Sequence, residues 1–496
     1  MSYKKYIEFL NRYSYDRYNN FDNLDNDKNV YPIMKPIDCY EAWKLETDKL
    51  REVKLGATFP LIQNTLTFKN MKECISILSY YSVSILRCEA QNPYFYHTAV
   101  PSAKGIHPCE CYFITKVKGA ARLLRFNSAS STLEYISKKD DAATEKLINK
   151  EFEEDELIII ITSDMFRLSK YYGSFAYILS AIDAGHISSQ IGMLAARGAA
   201  ELETYVDIDI KSIADYLKVD FNEIHPELMM KVKLSKDIES VNIDFNNIKD
   251  GVRNSFYSED MKEFNQITNF NNLLIEDFRK KADFKEFKTS KYKILENKDI
   301  LSCKDTNLNT AIYNRTSAQN VLGTFSLSIY IKNEDFKKAS KELYNYLSHT
   351  NLEENIRVYC FINKVEGYEK GWYLLEKEGF SFIKPDKQDN MINFLHDSHE
   401  FFSITTMPVV FFFEGNIKKY YDLYELNGVK ALYINTGEAC QGASIAFSEI
   451  GYFARPLKNL NERYVEKVLN LDECERVTYM LAIGKNNISS LDLEVI

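Results

Sequence analysis

The chain has 496 residues, 45% of them hydrophobic and 27% charged, which is the balance of a soluble globular protein with room for two or three domains. A net charge of −9 argues against a sequence-independent grip on nucleic acid. Nine scattered cysteines and a start, MSYKKYIEFLNRYSYDRYNN, without an apolar signal region point to reduced thiols and a cytoplasmic protein.

The first predicted element of note is a helix over 68–83, with apolar residues at Met71, Ile75, Leu78 and Val83. A turn, TAVPSAKGIHP (98–108), leads into a strand over 109–115, a V-x-G turn and a second strand at 133–136. ELIIIIT (156–162) is continuous enough to be a strand buried on both faces. A long helix spans about 173–199. Its small residues Ala184, Gly185, Ser188, Ser189 and Gly192 would admit either a second backbone or a flat ring. The same helix carries Asp183, His186, Gln190 and Arg197, which are too costly for a bilayer centre, so no membrane span is expected.

Residues 236–290 turn rich in Asn, Asp and Phe and lose periodicity, as a connecting region would. Across that divide the chain repeats itself. FITKVKGAARLLRF (113–126) parallels FINKVEGYEKGWYLL (361–375), and AYILSAIDAGHISSQIGMLAA (176–196) parallels VKALYINTGEACQGASIAFSE (429–449). The order and spacing predict two α/β units, 1–235 and 291–496, from a duplicated gene and packed as a pseudo-dimer.

Common site chemistries are poorly supported. His97, His107, Cys109 and Cys111 cluster in sequence, but a Cys-x-Cys pair on a strand puts both thiols on one face as small core residues. His396 and His399 lack a third ligand, so no metal is expected. There is no phosphate-binding glycine loop and no Gly-x-Ser-x-Gly elbow.

Three stretches in order, TAVPSAKGIHPCECYFI, VKGAARLLRF and KYYGSFAYILSAIDAGHISSQ, resemble the nitroreductase-like flavoproteins of the SagB/McbC type. These are FMN-dependent dehydrogenases that oxidise thiazolines and oxazolines in ribosomally made peptides. The resemblance covers most of 60–235 and, more weakly, 305–486. It implies an α+β nitroreductase-like fold in two tandem copies, with FMN between them. It also implies a precursor peptide as substrate, and a YcaO-type cyclodehydratase and a peptide-binding protein as partners. A homodimer remains open.

The departures divide the site between the halves. The family's Arg-Arg-Ser-x-Arg phosphate motif is degenerate in LREVKLGATF (50–59), where Arg51 and Lys54 are loose matches. Arg315 and Ser317 keep part of it in the second half, which has no Pro-Ser-Ala segment. The resemblance therefore implies one composite FMN site. Arg315 and Ser317 would hold the phosphate, with Pro101, Ser102, Ala103, Lys104 and Gly105 against the ring and Gly185, His186 and Gln190 beside it. Lys104 stands where the family has glycine, and His186 is either a flavin contact or a core histidine. The family's catalytic Lys-Tyr pair maps onto Lys170, Tyr171 and Tyr172 with a one-residue slip. A tyrosine with a pKa of about 10 needs a cation nearby to act as a base, and Lys170 would serve. The alternatives are an NAD(P)H-dependent FMN reductase, an oxidase of another substrate, and a flavin-free scaffold.

Overall fold

The structure is a computed structural model that describes residues 3–11, 41–55, 66, 68–89, 96–234, 249–251, 265–280, 288–291, 307–318, 324–385, 391–397, 402–486 and 492–494. Cys39, Cys303, His399 and most of the connecting region 236–290 lie outside the described residues.

In chain order, α1 (Tyr3–Leu10), β1 (Ala42–Lys44) and α2 (Thr47–Arg51) precede α3 (Met71–Val83), whose Asn70 cap accepts from the Glu73 N–H. Two short strands, β2 (Arg87–Glu89) and β3 (Tyr96–His97), lead to the Pro-Ser-Ala turn. Then follow β4 (Cys109–Val117), β5 (Ala120–Asn127), β6 (Thr132–Lys139), α4 (Asp141–Ile148), β7 (Glu156–Asp164), α5 (Met165–Tyr172) and α6 (Ala176–Gly198). β8 (Ala199–Tyr205), α7 (Ile210–Leu217) and β9 (Ile224–Leu234) complete the first half, with α8 (Asn265–Lys280) and β10 (Lys288–Lys291) after it.

The second half runs α9 (Leu308–Asn314), α10 (Asn333–His349), β11 (Ile356–Ile362), β12 (Gly371–Glu376), β13 (Gly379–Pro385), β14 (Val409–Asn416), α11 (Ile417–Tyr424) and α12 (Gly428–Glu449). It closes with β15 (Phe453–Leu457), α13 (Glu462–Leu469), β16 (Glu475–Gly484) and β17 (Asp492–Glu494).

The first large sheet has the order β1-β6-β5-β4-β7-β9-β8-β10 and the second β13-β12-β11-β14-β16-β15. Without the flanking β1 and β10, the two orders coincide strand for strand. The helix starts coincide as well. Asp164 caps α5 and Asn416 caps α11, while Asp209 caps α7 and Asn461 caps α13. Both pairs keep the spacing of 252 that separates Gly185 from Gly437. The sequence reading found the ends of this pattern but not β5, which pairs β4 through Phe113↔Leu124. Its Ala-Ala-Arg start masks the strand period until Arg125 is seen buried between Glu134 and Glu110.

The isoleucine strand β7 sits at the middle of its sheet, between β4 and β9, with every residue buried. α6 lies over it and crosses α12 at backbone contact. A Cβ at Gly185 would stand 2.1 Å from the Ile434 carbonyl oxygen, and one at Gly437 would stand 2.3 Å from that of Ile182. Of the two uses left open for these small residues, a second backbone is the one seen. One apolar core runs through both halves across this crossing. A separate cluster of rings, Phe361, Trp372, Phe394 and Phe412, covers the other face of the second sheet. The third sheet, β17-β2-β3, ties the far end of the chain to the first half through Cys88↔Leu493. Among the described residues, no helix is long and apolar enough to cross a membrane.

Candidate functional site

Residues 98–107 leave β3, pass beside α9, α12 and α6, and enter β4. Each contact comes from a different element. The Thr98 carbonyl accepts from Arg315 Nη2 at 3.2 Å, and the Ala99 carbonyl accepts from Gln441 Nε2 at 3.3 Å. Ser102 Oγ and the Ala103 N–H both donate to Asp183 Oδ2, at 2.9 and 3.3 Å. The His107 N–H closes the turn on Ser102 Oγ at 2.9 Å, and Arg167 donates to the Ile106 carbonyl.

Arg315 follows the last turn of α9 and is buried. Its Nη1 reaches Ser317 Oγ at 3.4 Å, and among the described residues its Nε has no hydrogen-bond partner and no carboxylate pairs with it. Burial and then the Arg87 charge work against its protonated form, with the Glu89 carboxylate opposing them. A buried guanidinium with one carbonyl, one hydroxyl and no carboxylate partner among the described residues has the donor chemistry to take an anion. A second guanidinium, Arg455 on β15, donates to the Ser317 carbonyl at 3.4 Å.

Behind the turn, Gln190 Oε1 accepts from Gln441 Nε2 at 2.9 Å, which leaves Gln190 Nε2 without a partner. His186 is fully buried. Burial first, and the nearby Arg315 charge second, depress its basicity to about 3, so it stays neutral. The Gln441 amide opposes that shift but stands outside hydrogen-bond geometry, and neither ring nitrogen is bonded.

Lys170, Tyr171 and Tyr172 form the last turn of α5, not a loop. Lys170 Nζ packs over the Phe166 ring at 4.1 Å, one turn back, and so turns away from its neighbours. The cation over the tyrosines is Lys104, with Nζ 5.0 Å from the Tyr171 ring centre and 5.7 Å from that of Tyr172. Lys104 is exposed, but its left-handed backbone (φ 49°) sets it against both rings.

The structure thus gathers Pro101 to Gly105, Arg315, Ser317, His186 and Gln190 around one loop, with Tyr171 and Tyr172 at its rim. Gly185 faces α12 rather than this loop, and Lys170 is held off by Phe166. Arg51 donates to the Tyr80 hydroxyl at 3.1 Å, and Lys54 is exposed. Three contributors escaped the sequence reading: Asp183, Gln441 and Arg455. Asp183 had a signal, a lone acid in an apolar helix, which was read only as evidence against a membrane. Gln441 and Arg455 had none.

Of the four residues weighed as metal ligands, three have other partners and the fourth, Cys111, is a buried thiol. Cys109 Sγ lies 3.3 Å from Ser163 Oγ, His97 Nε2 lies 3.1 Å from Glu89, and His107 Nε2 meets the Tyr96 carbonyl at 3.3 Å. Burial pushes the Cys111 thiol up to about 12. Among the described residues, no three His, Cys, Asp or Glu side chains converge as a metal site.

Comparison with known proteins agrees with this architecture. Residues 324–485, about a third of the chain, match the nitroreductase family model, and that family is flavin-dependent. The match falls on the second half, which the motifs had marked as the weaker one. A crystal structure from Anabaena variabilis, titled as a candidate nitroreductase, covers 98% of this chain and 99% of its own at 16% identity, with a TM-score of 0.67. The fold is therefore nitroreductase-like. The E. coli microcin synthetase McbBCD complex with truncated pro-MccB17 covers 43% of this chain and 81% of that chain (14% identity, TM-score 0.28). A candidate nitroreductase in complex with FMN, from Exiguobacterium sibiricum, covers 38% and 93% (12% identity, TM-score 0.26). A comparison with curated protein sequences found no match.

Proposed function

We propose that this chain is an FMN-dependent oxidoreductase with one composite cofactor site, and that it dehydrogenates thiazoline or oxazoline rings in a ribosomally made peptide. The observation that carries the cofactor reading is Arg315. It is buried, among the described residues lacks a carboxylate partner and a partner for Nε, and is fastened to the strand end that opens the Pro-Ser-Ala turn. A phosphate dianion supplies the missing charge, and Gln190 Nε2 and the neutral His186 offer polar contacts nearby.

In this reading Arg315, Ser317 and Arg455 bind the phosphate, while Pro101, Ala103 and Gly105 present a low turn to a flat ring. Ser102 supports the turn from behind through Asp183. FMN, when bound, supplies the acceptor for a hydride leaving the azoline ring. The proton lost from the adjacent carbon goes to a phenolate oxygen of Tyr171 or Tyr172, beside the Lys104 ammonium that lies over both rings. Scattered cysteines, seven of them free among the described residues, suit a reducing cytoplasm. The precursor peptide, a YcaO-type cyclodehydratase and a peptide-binding protein are the partners this chemistry calls for.

The generic family match favours a second reading, in which NAD(P)H reduces the flavin for nitro, quinone or dehydroamino acid substrates. One experiment separates them. The purified protein is examined for flavin absorbance, the released cofactor is weighed by mass spectrometry, and the sample is mixed with NAD(P)H in a stopped flow. Yellow protein that bleaches slowly with NAD(P)H but yields azole from an azoline peptide supports the dehydrogenase. Rapid bleaching supports the reductase, and colourless protein that takes up no FMN overturns both.

A further inference from the structure

The Pro-Ser-Ala turn is gripped at its centre by one buried side chain. Asp183 projects from α6, is 5% exposed, and collects two donors on a single oxygen, Ser102 Oγ and the Ala103 N–H. Ser102 in turn accepts the His107 N–H. Release of Asp183 would therefore free the turn at Ser102 and Ala103 and loosen the Ser102–His107 bond, between the fixed ends at Thr98 and β4. The residue just after the grip, Lys104, has φ 49°, and His107 also has φ 49°. Left-handed backbone at a residue with a side chain needs outside support, because on its own it relaxes.

We infer that Asp183 is the positioning residue of this site: its carboxylate clamps Ser102 and Ala103 and so sets where residues 101–107 stand relative to Arg315. The inference deepens the cofactor reading and depends on it only for the cofactor readout below.

The clamp depends on pH. Burial lifts the Asp183 carboxyl to about 7 against the pull of its two hydrogen bonds, and Glu227 on β9 adds to the rise. The other groups around it are Cys109 on β4, Tyr479 on β16, His186 on α6 itself, and Lys104 and His107 on the turn, with Lys430 of α12 beyond Glu227 and Arg167 of α5 by His107. Burial holds Cys109 and Tyr479 neutral and depresses His107 to about 4, so these three do not titrate near pH 7, whereas burial brings the more distant Lys430 ammonium down to about 8.

The two consequences have opposite signs. Ionisation above pH 7 turns both bonds into charge-assisted ones and tightens the turn. A carboxyl whose folded value is raised contributes stability that is complete below the ordinary carboxylate range and is lost as pH rises through about 7. The protein thus gives up some global stability as the clamp closes.

The test measures FMN affinity by fluorescence titration and melting temperature across about pH 5 to 9, in the wild type, Asp183→Asn and Asp183→Ala. Asn should fold, because α12 carries Asn435 at the corresponding level, 252 positions on. The wild type should gain FMN affinity and lose melting temperature as pH rises through 7. Asp183→Asn should flatten both curves relative to the wild type. Asp183→Ala should weaken FMN by about tenfold at the alkaline end, the loss expected for two hydrogen bonds. Wild-type pH dependence of both quantities in Asp183→Asn overturns the inference. If the wild type binds no FMN at any pH, the cofactor reading fails, and the melting curves alone decide the role of Asp183.

Discussion

Asp183 and Asn435 occupy the same level of α6 and α12, yet they hold different things. Asp183 reaches across to the Pro-Ser-Ala turn, while Asn435 donates to the Tyr420 hydroxyl of its own half at 2.8 Å. The contrast continues along both helices. His186 answers to Glu438, which accepts from Ser188 Oγ at 2.7 Å, and Gln190 answers to Gly442, whose open side is filled by the Tyr346 ring. The Tyr346 hydroxyl lies 2.7 Å from Ser189 Oγ, whose counterpart in the second half is Gln441, beside the Ala99 carbonyl. One backbone pattern thus supports a polar, incompletely satisfied site on one side of the crossing and a plug of tyrosines on the other.

The crossing itself should be the most sensitive place to break that comparison, and it should break equally from either side. Gly185→Val and Gly437→Val each drive a side chain into the facing backbone. Both should cost more than about 4 kcal/mol or prevent folding, read from urea unfolding. A large difference between them would show that the two helices do not meet as equals.

Next in size is the plug. Tyr346→Ala removes a fully buried ring and should destabilise by about 3–5 kcal/mol, as large aromatic deletions do. Bound FMN should stay at one per chain, measured from absorbance against protein concentration. A second equivalent of FMN in this variant would mean that the two sides differ only by that ring.

Arg315→Ala should weaken FMN by about a hundredfold or more, roughly 3 kcal/mol for a buried charged contact, with the melting temperature of the apoprotein as the control for the lost Thr98 bond. Arg315→Lys keeps the charge but not the fork, and should recover only part of the affinity. Full retention in the alanine variant would remove the composite site and, with it, the asymmetry drawn above.

How much of this was legible in the sequence depended on what each residue answers to. The isoleucines of β7, the helix α6 and the repeat at Gly185 and Gly437 were readable because period and spacing are local properties. Arg315 and the Pro-Ser-Ala turn could be paired in advance because each half visibly lacked what the other kept. Lys170 could not be placed, because its direction is set by packing on Phe166, and Lys104 took the cation position through a backbone turn that no spacing rule reveals. Asp183 was visible but misjudged: an acid in an apolar helix is costly without donors, and its donors lie some eighty residues upstream. Arg455 and Gln441 are legible only once the sheet and the helix crossing are folded.

The smallest effect sharpens the comparison most cleanly. The chain enters α6 through Tyr172 and Gly173, and it enters α12 through Tyr424 and Glu425. The backbone angles nearly coincide: Tyr172 and Tyr424 both have φ −128°, and Gly173 and Glu425 both have φ 52°, with ψ −138° and −121°. That conformation is easy for glycine and strained for glutamate. The second half retains the turn but has Asp422 and Leu423 where the first has Lys170 and Tyr171. Glu425→Gly should therefore stabilise the protein by about 1 kcal/mol, offset by the added freedom of the unfolded chain, and leave FMN binding untouched. Gly173→Glu should do the reverse on both counts, because the strain then falls directly beneath Tyr171 and Tyr172. Chemical unfolding and FMN titration on the two variants read this out. If Gly173→Glu destabilises the protein without disturbing FMN or turnover, the end of α5 belongs to the scaffold in both halves, and the site ends at the Pro-Ser-Ala turn.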